Sequence, residues 1–293
     1  MPRNTKNHTQ KTYTKPTPEK MDAVILCGGL GTRLREETEF LPKPMVTIGD
    51  RPILWHIMKR YSMFGVRRFI LCLGYKGHVI RDYFLNYRFY NSDFSIGLAS
   101  GDITFSGKGT RKKSSEVEDW EIVLAETGPH SQTGSRIARI LPHLQSNNFF
   151  ATYGDGVSDV NIHALLKHHL ASGKAATLTS VYPPSRFGEI IKKNGAVDFF
   201  AEKPQVASGA INGGFFVFDA KAVKKYLPRN PEKHVHLSLE GDILPELAED
   251  KQLAAYSHPG FWQCMDTQRE MEQLNTIYKQ GNAPWLTPPS PNK

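Results

Sequence analysis

Short runs of apolar residues alternate with segments in which apolar residues recur every three or four positions. One run covers residues 23–27 and ends at a pair of glycines, and a second covers residues 69–73. Continuous short runs are typical of strands buried on both faces of a parallel sheet. Between them, one helical face is formed by Ile53, Leu54, Ile57, Met58 and Tyr61. The pattern predicts a β-α-β unit.

The same alternation continues along the chain. Helical spacing predicts helices over residues 79–87, 135–144, 162–171, 243–249 and 267–280. Apolar runs predict strands over residues 149–153, 176–181, 189–191, 197–200, 215–218 and 254–256. Residues 92–126 instead show short alternating stretches with four glycines, which predicts a small β-rich insertion. Strands and helices in alternation predict a three-layer α/β fold with a mostly parallel central sheet.

The two ends of the chain lack this periodicity. Residues 1–20 are rich in Thr, Lys, Asn and Pro and predict a disordered basic leader, and residues 287–293 predict a loose Pro-rich tail. Residues 21–286 are therefore expected to form one domain, and they contain no internal repeat.

Charge first suggests an anionic partner, because 37 Lys and Arg against 29 Asp and Glu give a net charge of +8. Residues 1–20 hold five of these cations and one acid, a net of +4, which leaves +4 for the other 273 residues. The folded part is thus only modestly basic. We expect no nucleic-acid partner, although a polyanion-binding role for the leader stays open.

Cysteine usage and hydropathy indicate a compartment. The three cysteines cannot all pair and lack C-x-x-C spacing, which favours a reduced, cytoplasmic environment. The chain has no run of 18 apolar residues and no apolar segment near its start. We therefore expect no membrane span and no secretory signal.

Strand-end loops carry the candidate chemistry, because ligands of parallel sheets bind beyond the carboxyl ends of strands. The first loop, Gly28-Gly29-Leu30-Gly31-Thr32-Arg33, is neither a Walker loop nor a dinucleotide fingerprint. Its glycines would let backbone N–H groups approach a triphosphate, and Arg33 would add a charged fork. A tight turn with a surface arginine explains the loop equally well.

Three further positions could hold phosphate or metal. Lys43 lies between two prolines, which hold its backbone stiff. Asp155 stands between two glycines after a strand, a position suited to a Mg²⁺ ligand, and Asp266 precedes the last helix. A surface lysine, an Asp-Gly turn and a helix N-cap are the ordinary alternatives. Spacing alone does not show that the two aspartates meet.

Two later loops could serve a sugar phosphate. Glu202-Lys203 and Asn212-Gly213 flank predicted strands, and their side chains could bind sugar hydroxyls and a second phosphate, although exposed loop polarity is the alternative. The histidine pairs lack zinc spacing, and no G-x-S-x-G elbow is present.

In order along the chain, these motifs resemble the sugar-1-phosphate nucleotidyltransferases, in particular the branch that uses CTP. The resemblance covers residues 21–286. It rests on the glycine loop and on later segments: Lys43-Pro44-Met45, Pro52 to Lys59, Gly74 to Gly77, Thr133 to Arg136, Thr152 to Val157, Pro183 to Gly188, Glu202-Lys203-Pro204, Ile211 to Val217, Gly260 to Thr267 and Ala283-Pro284-Trp285.

The resemblance implies a Rossmann-like nucleotidyltransferase fold and the transfer of CMP from CTP to α-D-glucose 1-phosphate. It implies Arg33, Lys43 and Lys203 as catalytic cations, and Asp155 and Asp266 as ligands of Mg²⁺. It places Glu202, Lys203, Asn212 and Gly213 at the sugar phosphate. The nucleotide would contact Leu26, Gly28, Gly29, Gly31, Thr32, Arg33, Lys43, Ser131, Thr133, Arg136 and Gly154. A homo-oligomer is also implied.

Two alternatives remain at this point. An enzyme of the same fold could use UTP, dTTP or GTP, or another sugar 1-phosphate, because sequence does not display the hydrogen bonds that select a base. A non-catalytic nucleotide-sugar-binding protein is the second, and retention of Lys43, Asp155, Lys203 and Asp266 weighs against it.

Overall fold

The computed structural model describes residues 16–29, 31, 34, 38–105, 117–183, 189–193, 196–201 and 209–289. The α-helices in these ranges are α1 (Ile53–Ser62), α2 (Gly77–Leu85), α3 (Tyr87–Asn91), α4 (Thr133–Ile140), α5 (Ile162–Ser172), α6 (Ala220–Val223), α7 (Leu244–Glu249) and α8 (Gln268–Lys279). The strands are β1 (Asp22–Leu26), β2 (Thr47–Ile48), β3 (Arg51–Pro52), β4 (Arg68–Leu73), β5 (Phe94–Ile96), β6 (Ile103–Phe105), β7 (Glu121–Glu126), β8 (Asn148–Tyr153), β9 (Gly156–Ser158), β10 (Ala176–Val181), β11 (Glu189–Lys193), β12 (Ala196–Ala201), β13 (Ile211–Asn212), β14 (Phe216–Asp219), β15 (Leu253–His258) and β16 (Trp262–Cys264).

The central sheet is mostly parallel. β1 lies at its middle and pairs in parallel with β4 on one side and β8 on the other, and β4 pairs in parallel with β7. β10 and β15 also pair in parallel. β14 runs antiparallel between β8 and β10, and β13 continues along the same side of β10. The carboxyl ends of β1, β8 and β10 therefore lie along one edge, together with the start of β14.

Both faces of the sheet are covered by helices, which explains why its strands are apolar throughout. Ala23 and Ile25 of β1 pack into one hydrophobic cluster with α1, α5 and α8. Val24 and Leu26 point to the opposite cluster, which contains α4, α6 and α7. Successive strand residues thus bury their side chains in different layers. The three-layer α/β prediction is confirmed. Among the described residues, no helix is long and apolar enough to cross a bilayer.

The predicted insertion is smaller than expected. Of residues 92–126, only β5 and β6 form a separate antiparallel hairpin. β7 is instead the edge strand of the central sheet, with Ile122, Val123 and Leu124 opposite Phe69, Ile70 and Leu71 of β4. Glutamates at both ends of this apolar run, and the glycines before it, made it resemble hairpin sequence.

Several boundaries also differ from the sequence prediction. The helix expected over residues 135–144 ends at Ile140 and continues as a 3₁₀ turn, because Pro142 cannot supply the backbone N–H of a regular helix. The strand expected from residue 215 begins at Phe216, since Phe215 has a φ of +44°. Three residues of the predicted leader, Pro18–Lys20, form a 3₁₀ turn in which Pro18 is buried. The predicted end of the leader at residue 20 therefore falls inside a packed segment.

Two buried histidines make the stability of the fold depend on pH. His56 lies 2.9 Å from the Ile48 carbonyl oxygen and accepts a hydrogen bond from the indole N–H of Trp285, and His169 lies 2.9 Å from the Thr177 hydroxyl. Burial lowers the pKa of each from 6.5 to about 4. The folded protein therefore keeps both rings neutral in a range where the unfolded chain takes up protons.

We expect stability to fall as the pH is lowered from 7 to 5, by about 2 kcal/mol for each histidine, because only the unfolded chain is protonated there. Urea unfolding of the wild type and of His169→Gln at both values checks this. The variant should lose about 2 kcal/mol less than the wild type between the two pH values. An equal loss in both proteins would contradict the assignment of His169.

Candidate active site

A cavity of about 340 Å³ opens at the carboxyl ends of β1 and β8. Its floor is the end of β1 and the glycine loop, one wall is the start of α4, and the other wall is the turn after β8. It is lined by Leu26, Cys27, Gly28, Gly29, Gly31, Lys43, Pro44, Ser131, Gln132, Thr133, Arg136, Tyr153, Gly154, Asp155 and Asp266. Its position is the one expected for ligands of a parallel sheet.

The glycine loop is held from below by Arg136. This side chain of α4 is 3% exposed, and its guanidinium donates to the carbonyl oxygens of Gly28 at 3.0 Å and Leu73 at 2.9 Å and to the Thr127 hydroxyl at 2.6 Å. These bonds tie the loop after β1 to the end of β4. In the structure, Arg136 therefore acts on the loop that shapes the cavity floor.

Gly28 is expected to be required because Arg136 occupies the space of a side chain there. A Cβ on Gly28 would lie 2.1 Å from the Arg136 Cζ, whereas a Cβ on Gly29 would meet nothing within 4 Å. We expect Gly28→Ala to lower the free energy of unfolding by about 2–4 kcal/mol, since a buried guanidinium would lose its partners. Gly29→Ala is the matched control and should change it by less than about 0.5 kcal/mol.

Urea unfolding measures both effects, and nucleotide binding can be followed by calorimetry in the same samples. Equal stability of the two alanine variants would show that Arg136 moves aside without cost, and would overturn this account of the loop.

Lys43, Asp155 and Asp266 meet at the cavity wall. The Lys43 Nζ donates to Asp155 Oδ2 at 2.7 Å and also to Asp266 Oδ1. The lysine side chain is 11% exposed, against 33% for Asp155 and 19% for Asp266. Burial alone would lower the pKa of Lys43, but the two carboxylates outweigh it and raise that pKa. The lysine is therefore a cation over the physiological pH range.

The aspartates are 111 residues apart in sequence and are brought together by the pairing of β9 with β16. The backbone N–H of Met265 also donates to the Asp155 carbonyl oxygen at 2.8 Å. Asp266 is not the N-cap of α8. Thr267 caps that helix in a capping box with Glu270, whose carboxylate also accepts from the Asp266 backbone N–H at 2.8 Å. The helix start thus fixes the backbone of Asp266 beside Asp155.

The donor set fits a small divalent cation. Two carboxylates from different elements converge on one point, where they already hold a positive nitrogen, and the neighbouring cavity can admit phosphate oxygens. One or two carboxylates plus substrate phosphates are the usual ligands of Mg²⁺. Among the described residues, Cys264, Asp266 and Glu270 also place ligand atoms within 4.8 Å of one another. Glu270 is committed to the helix cap, which makes that group less suitable.

The far wall of the cavity is built around Tyr153, at the end of β8. Its hydroxyl accepts from the Asn212 side-chain amide at 3.1 Å and donates to Glu240 Oε1 at 2.6 Å. Gly213 follows Asn212 in the gap between β13 and β14, and its carbonyl oxygen accepts from the Trp262 indole N–H at 2.8 Å. A Cβ on Gly213 would lie 2.6 Å from Val181, so the wall closes only with glycine there.

The structure brings most of the predicted residues together. Those lining the cavity are Leu26, Gly28, Gly29, Gly31, Lys43, Ser131, Thr133, Arg136, Gly154, Asp155 and Asp266. Asn212 lies behind Tyr153 and reaches the cavity through it, with Gly213 next to it. Thr32, Arg33, Glu202 and Lys203 fall outside the described residues.

Sequence reasoning missed the residues that connect these parts. Tyr153 was visible only as the last aromatic residue of a strand, and its place beside Asp155 could have been inferred from that. Glu240 gave no signal, because it follows Leu239 in a segment with no recognisable motif. Its contact with Tyr153 spans 87 positions.

Comparison with known proteins agrees with this geometry. The family model described as nucleotidyl transferase matches residues 22–267. The glucose-1-phosphate cytidylyltransferase of Salmonella typhimurium is 45% identical over 268 residues, which cover 91% of this chain and 99% of that protein. A probable glucose-1-phosphate cytidylyltransferase of Bacillus subtilis is 40% identical, with 90% and 99% covered.

Solved structures share the fold. A putative glucose-1-phosphate thymidylyltransferase from Bacillus anthracis, in complex with a sucrose, superposes with a TM-score of 0.62 at 17% identity, over 88% of this chain and 94% of that one. HddC from Yersinia pseudotuberculosis, complexed with GMP-PN, gives a TM-score of 0.57 at 23% identity, over 88% and 99%. At these identities the likeness concerns the fold alone.

Proposed function

This chain belongs to the nucleotidyl transferase family, and on that basis we propose that it is a glucose-1-phosphate cytidylyltransferase. It transfers CMP from CTP to α-D-glucose 1-phosphate, giving CDP-glucose and pyrophosphate. The observation that carries the proposal is the 45% identity over 91% of the chain to a protein of that activity. The meeting of Lys43, Asp155 and Asp266 beside a glycine-lined cavity supports it.

The reaction needs charge neutralisation more than proton transfer. A phosphate oxygen of the sugar phosphate attacks the α-phosphorus of CTP, a new P–O bond forms, and the bond to the bridging oxygen of the β-phosphate breaks. That oxygen leaves with pyrophosphate. The nucleophile is already an anion near neutral pH, so no general base is required. The barrier lies in bringing two anions together in line.

The residues of the cavity meet this need by position and charge. Gly28, Gly29 and Gly31 would let backbone N–H groups approach the triphosphate closely, because a glycine backbone carries no side chain in the way. Lys43 would supply a fixed positive charge at the α- and β-phosphates. We further propose that Arg33 neutralises the triphosphate and that Lys203, with Glu202 and Asn212, binds the sugar phosphate.

Asp155 and Asp266 would hold Mg²⁺. When bound, the metal supplies positive charge to the phosphate oxygens of the nucleotide. The two aspartates orient that charge through the β9–β16 pairing and the capping box at the start of α8. Lys43 sits between the same two carboxylates and keeps them close together.

A nucleotide panel tests the proposal. CTP, UTP, dTTP and GTP are each combined with glucose 1-phosphate and with other sugar 1-phosphates, and pyrophosphate release is measured. CTP with glucose 1-phosphate should give the highest kcat/KM, by at least about 10²-fold. Dominant turnover of dTTP or UTP would refute the cytidylyl assignment. Absence of pyrophosphate release with every pair would refute nucleotidyl transfer.

The chain is also proposed to act in the cytoplasm as a homo-oligomer. The cytoplasm is favoured because all three cysteines are unpaired. The β5–β6 hairpin favours self-association, because an isolated two-stranded sheet is marginal in water and its Phe94, Ile96 and Ile103 are 41%, 51% and 43% exposed. Sedimentation of the wild type and of Ile96→Glu tests this, and a monomeric wild type would overturn it.

A further inference from the structure

Glu240 lies on a π-helical turn, Leu239–Ile243, that packs against the start of α4. Gly134 allows this close approach, since a Cβ there would lie 2.9 Å from the Leu237 carbonyl oxygen. The Glu240 carboxylate accepts three hydrogen bonds from hydroxyl groups: from Tyr153 at 2.6 Å, from Thr133 at 2.7 Å and from Ser238 at 2.9 Å. An ionised carboxylate can only accept, so each hydroxyl must point its proton at Glu240.

Two of these hydroxyls anchor the carboxylate. Thr133 Oγ1 accepts from the Leu239 backbone N–H at 2.8 Å and gives its own proton to Glu240. Ser238 Oγ similarly accepts from the Gly241 backbone N–H at 3.0 Å while it donates to Glu240. Both groups belong to the junction of α4 with the π-helical turn. They fix the position of the carboxylate from its own side.

The third hydroxyl, that of Tyr153, faces the cavity. Its proton is committed to Glu240, and one of its lone pairs accepts from Asn212 Nδ2. The Asn212 amide cannot flip, because its Oδ1 accepts from the Gly214 backbone N–H at 3.0 Å. The remaining lone pair of Tyr153 is therefore an acceptor, and Asn212 Nδ2 keeps a second N–H as a donor.

We propose that Glu240 is a positioning residue that fixes the Tyr153 hydroxyl as a hydrogen-bond acceptor for a hydroxyl group of the hexose. This inference rests on the proposed function, because it takes a sugar phosphate as the second substrate. The ligand chemistry follows from the wall itself: a hexose hydroxyl can donate to Tyr153 and accept from Asn212. Burial, together with the neighbouring Glu240 charge, raises the pKa of Tyr153 and keeps its proton in place.

Removal of the carboxylate should therefore affect the sugar phosphate and spare the nucleotide. We expect Glu240→Ala to raise KM for glucose 1-phosphate about 10-fold, the value of one hydrogen bond, and to change KM for CTP less than 2-fold. Glu240→Gln keeps the size of the side chain and should raise the same KM several-fold, because its amide N–H₂ competes with the hydroxyl protons.

The Tyr153→Phe background separates positioning from a structural role. If Glu240 acts through the tyrosine hydroxyl, Glu240→Ala should raise KM for glucose 1-phosphate no further in that background. Asp242→Asn is the matched control. It removes a carboxylate of the same turn, which accepts from the Ser238 backbone N–H at 2.7 Å, and it should leave both KM values within 2-fold.

Equal rises in both KM values, additive effects of the two substitutions, or an Asp242→Asn variant that behaves like Glu240→Ala would each overturn the proposal. The nucleotide panel on the wild type is read first. If another sugar 1-phosphate is the preferred substrate, the proposed function fails, and the same KM comparison with that sugar still decides the role of Glu240.

Discussion

Replacement of Asp155 by Asn is expected to reduce kcat about 10³-fold at saturating CTP, glucose 1-phosphate and Mg²⁺. Asn keeps the shape of the side chain but removes one of the two negative charges that converge beside the cavity. A metal that neutralises phosphate charge contributes several kcal/mol to transition-state stabilisation, and half of its carboxylate set would be gone. The measurement is the steady-state rate of pyrophosphate release.

The control for Asp155 is Asp250→Asn, which removes a carboxylate bonded to the Tyr226 hydroxyl, outside the residues that line the cavity. It should leave kcat within 2-fold. Asp266→Asn should act like Asp155→Asn, because both carboxylates contact the same nitrogen. Full turnover of either site variant at saturating Mg²⁺ would show that this pair does not bind the metal.

The second large effect is expected from Lys43→Met, which should lower kcat about 10²- to 10³-fold. The methionine fills a similar volume without the charge proposed to stabilise the α- and β-phosphates in the transition state. Because the carboxylates raise the pKa of Lys43, the wild type should show no loss of activity from lysine deprotonation between pH 7 and 9. Pyrophosphate release across this pH range is the measurement.

The same variant has a readout that does not depend on turnover. Without Lys43, Asp155 and Asp266 would face each other with no shared ammonium, so the variant should melt at a lower temperature than the wild type in the absence of divalent ions. Added Mg²⁺ should raise the melting temperature of Lys43→Met more than that of the wild type. Lys221→Met, at an exposed position, serves as control. Identical shifts in all three proteins would contradict the shared-carboxylate arrangement.

The layered fold could be predicted because burial on both faces leaves a simple trace in sequence. β1 and β4 are apolar at nearly every position, and their neighbours in the chain repeat with helical spacing. The edge strand β7 could not be placed so easily. Its residues are only partly buried, since it has a partner on one side, and the sequence before it has the glycines of a hairpin.

The parts of the site that are local in sequence could also be predicted. The glycine loop and Lys43 lie within about one turn of each other along the chain order, and both follow β1. The meeting of Asp155 with Asp266 depends on which residues of β9 and β16 pair, and two strands of three residues carry too little pattern to specify that register. Glu240 was out of reach for a related reason: its role comes from hydroxyl groups on three other segments of the turn, β8 and α4.

The buried guanidinium of Arg136 has a consequence for any attempt to transplant or redesign this loop. It fills the volume that side chains would take at two glycines, since a Cβ on Gly74 would also lie 2.6 Å from its Nη1. Gly28, Gly74 and Arg136 thus behave as one inheritable unit, although 108 positions separate the first from the last. A relative that has lost the arginine is free to carry larger residues at both glycine positions, and a chimera must exchange all three together.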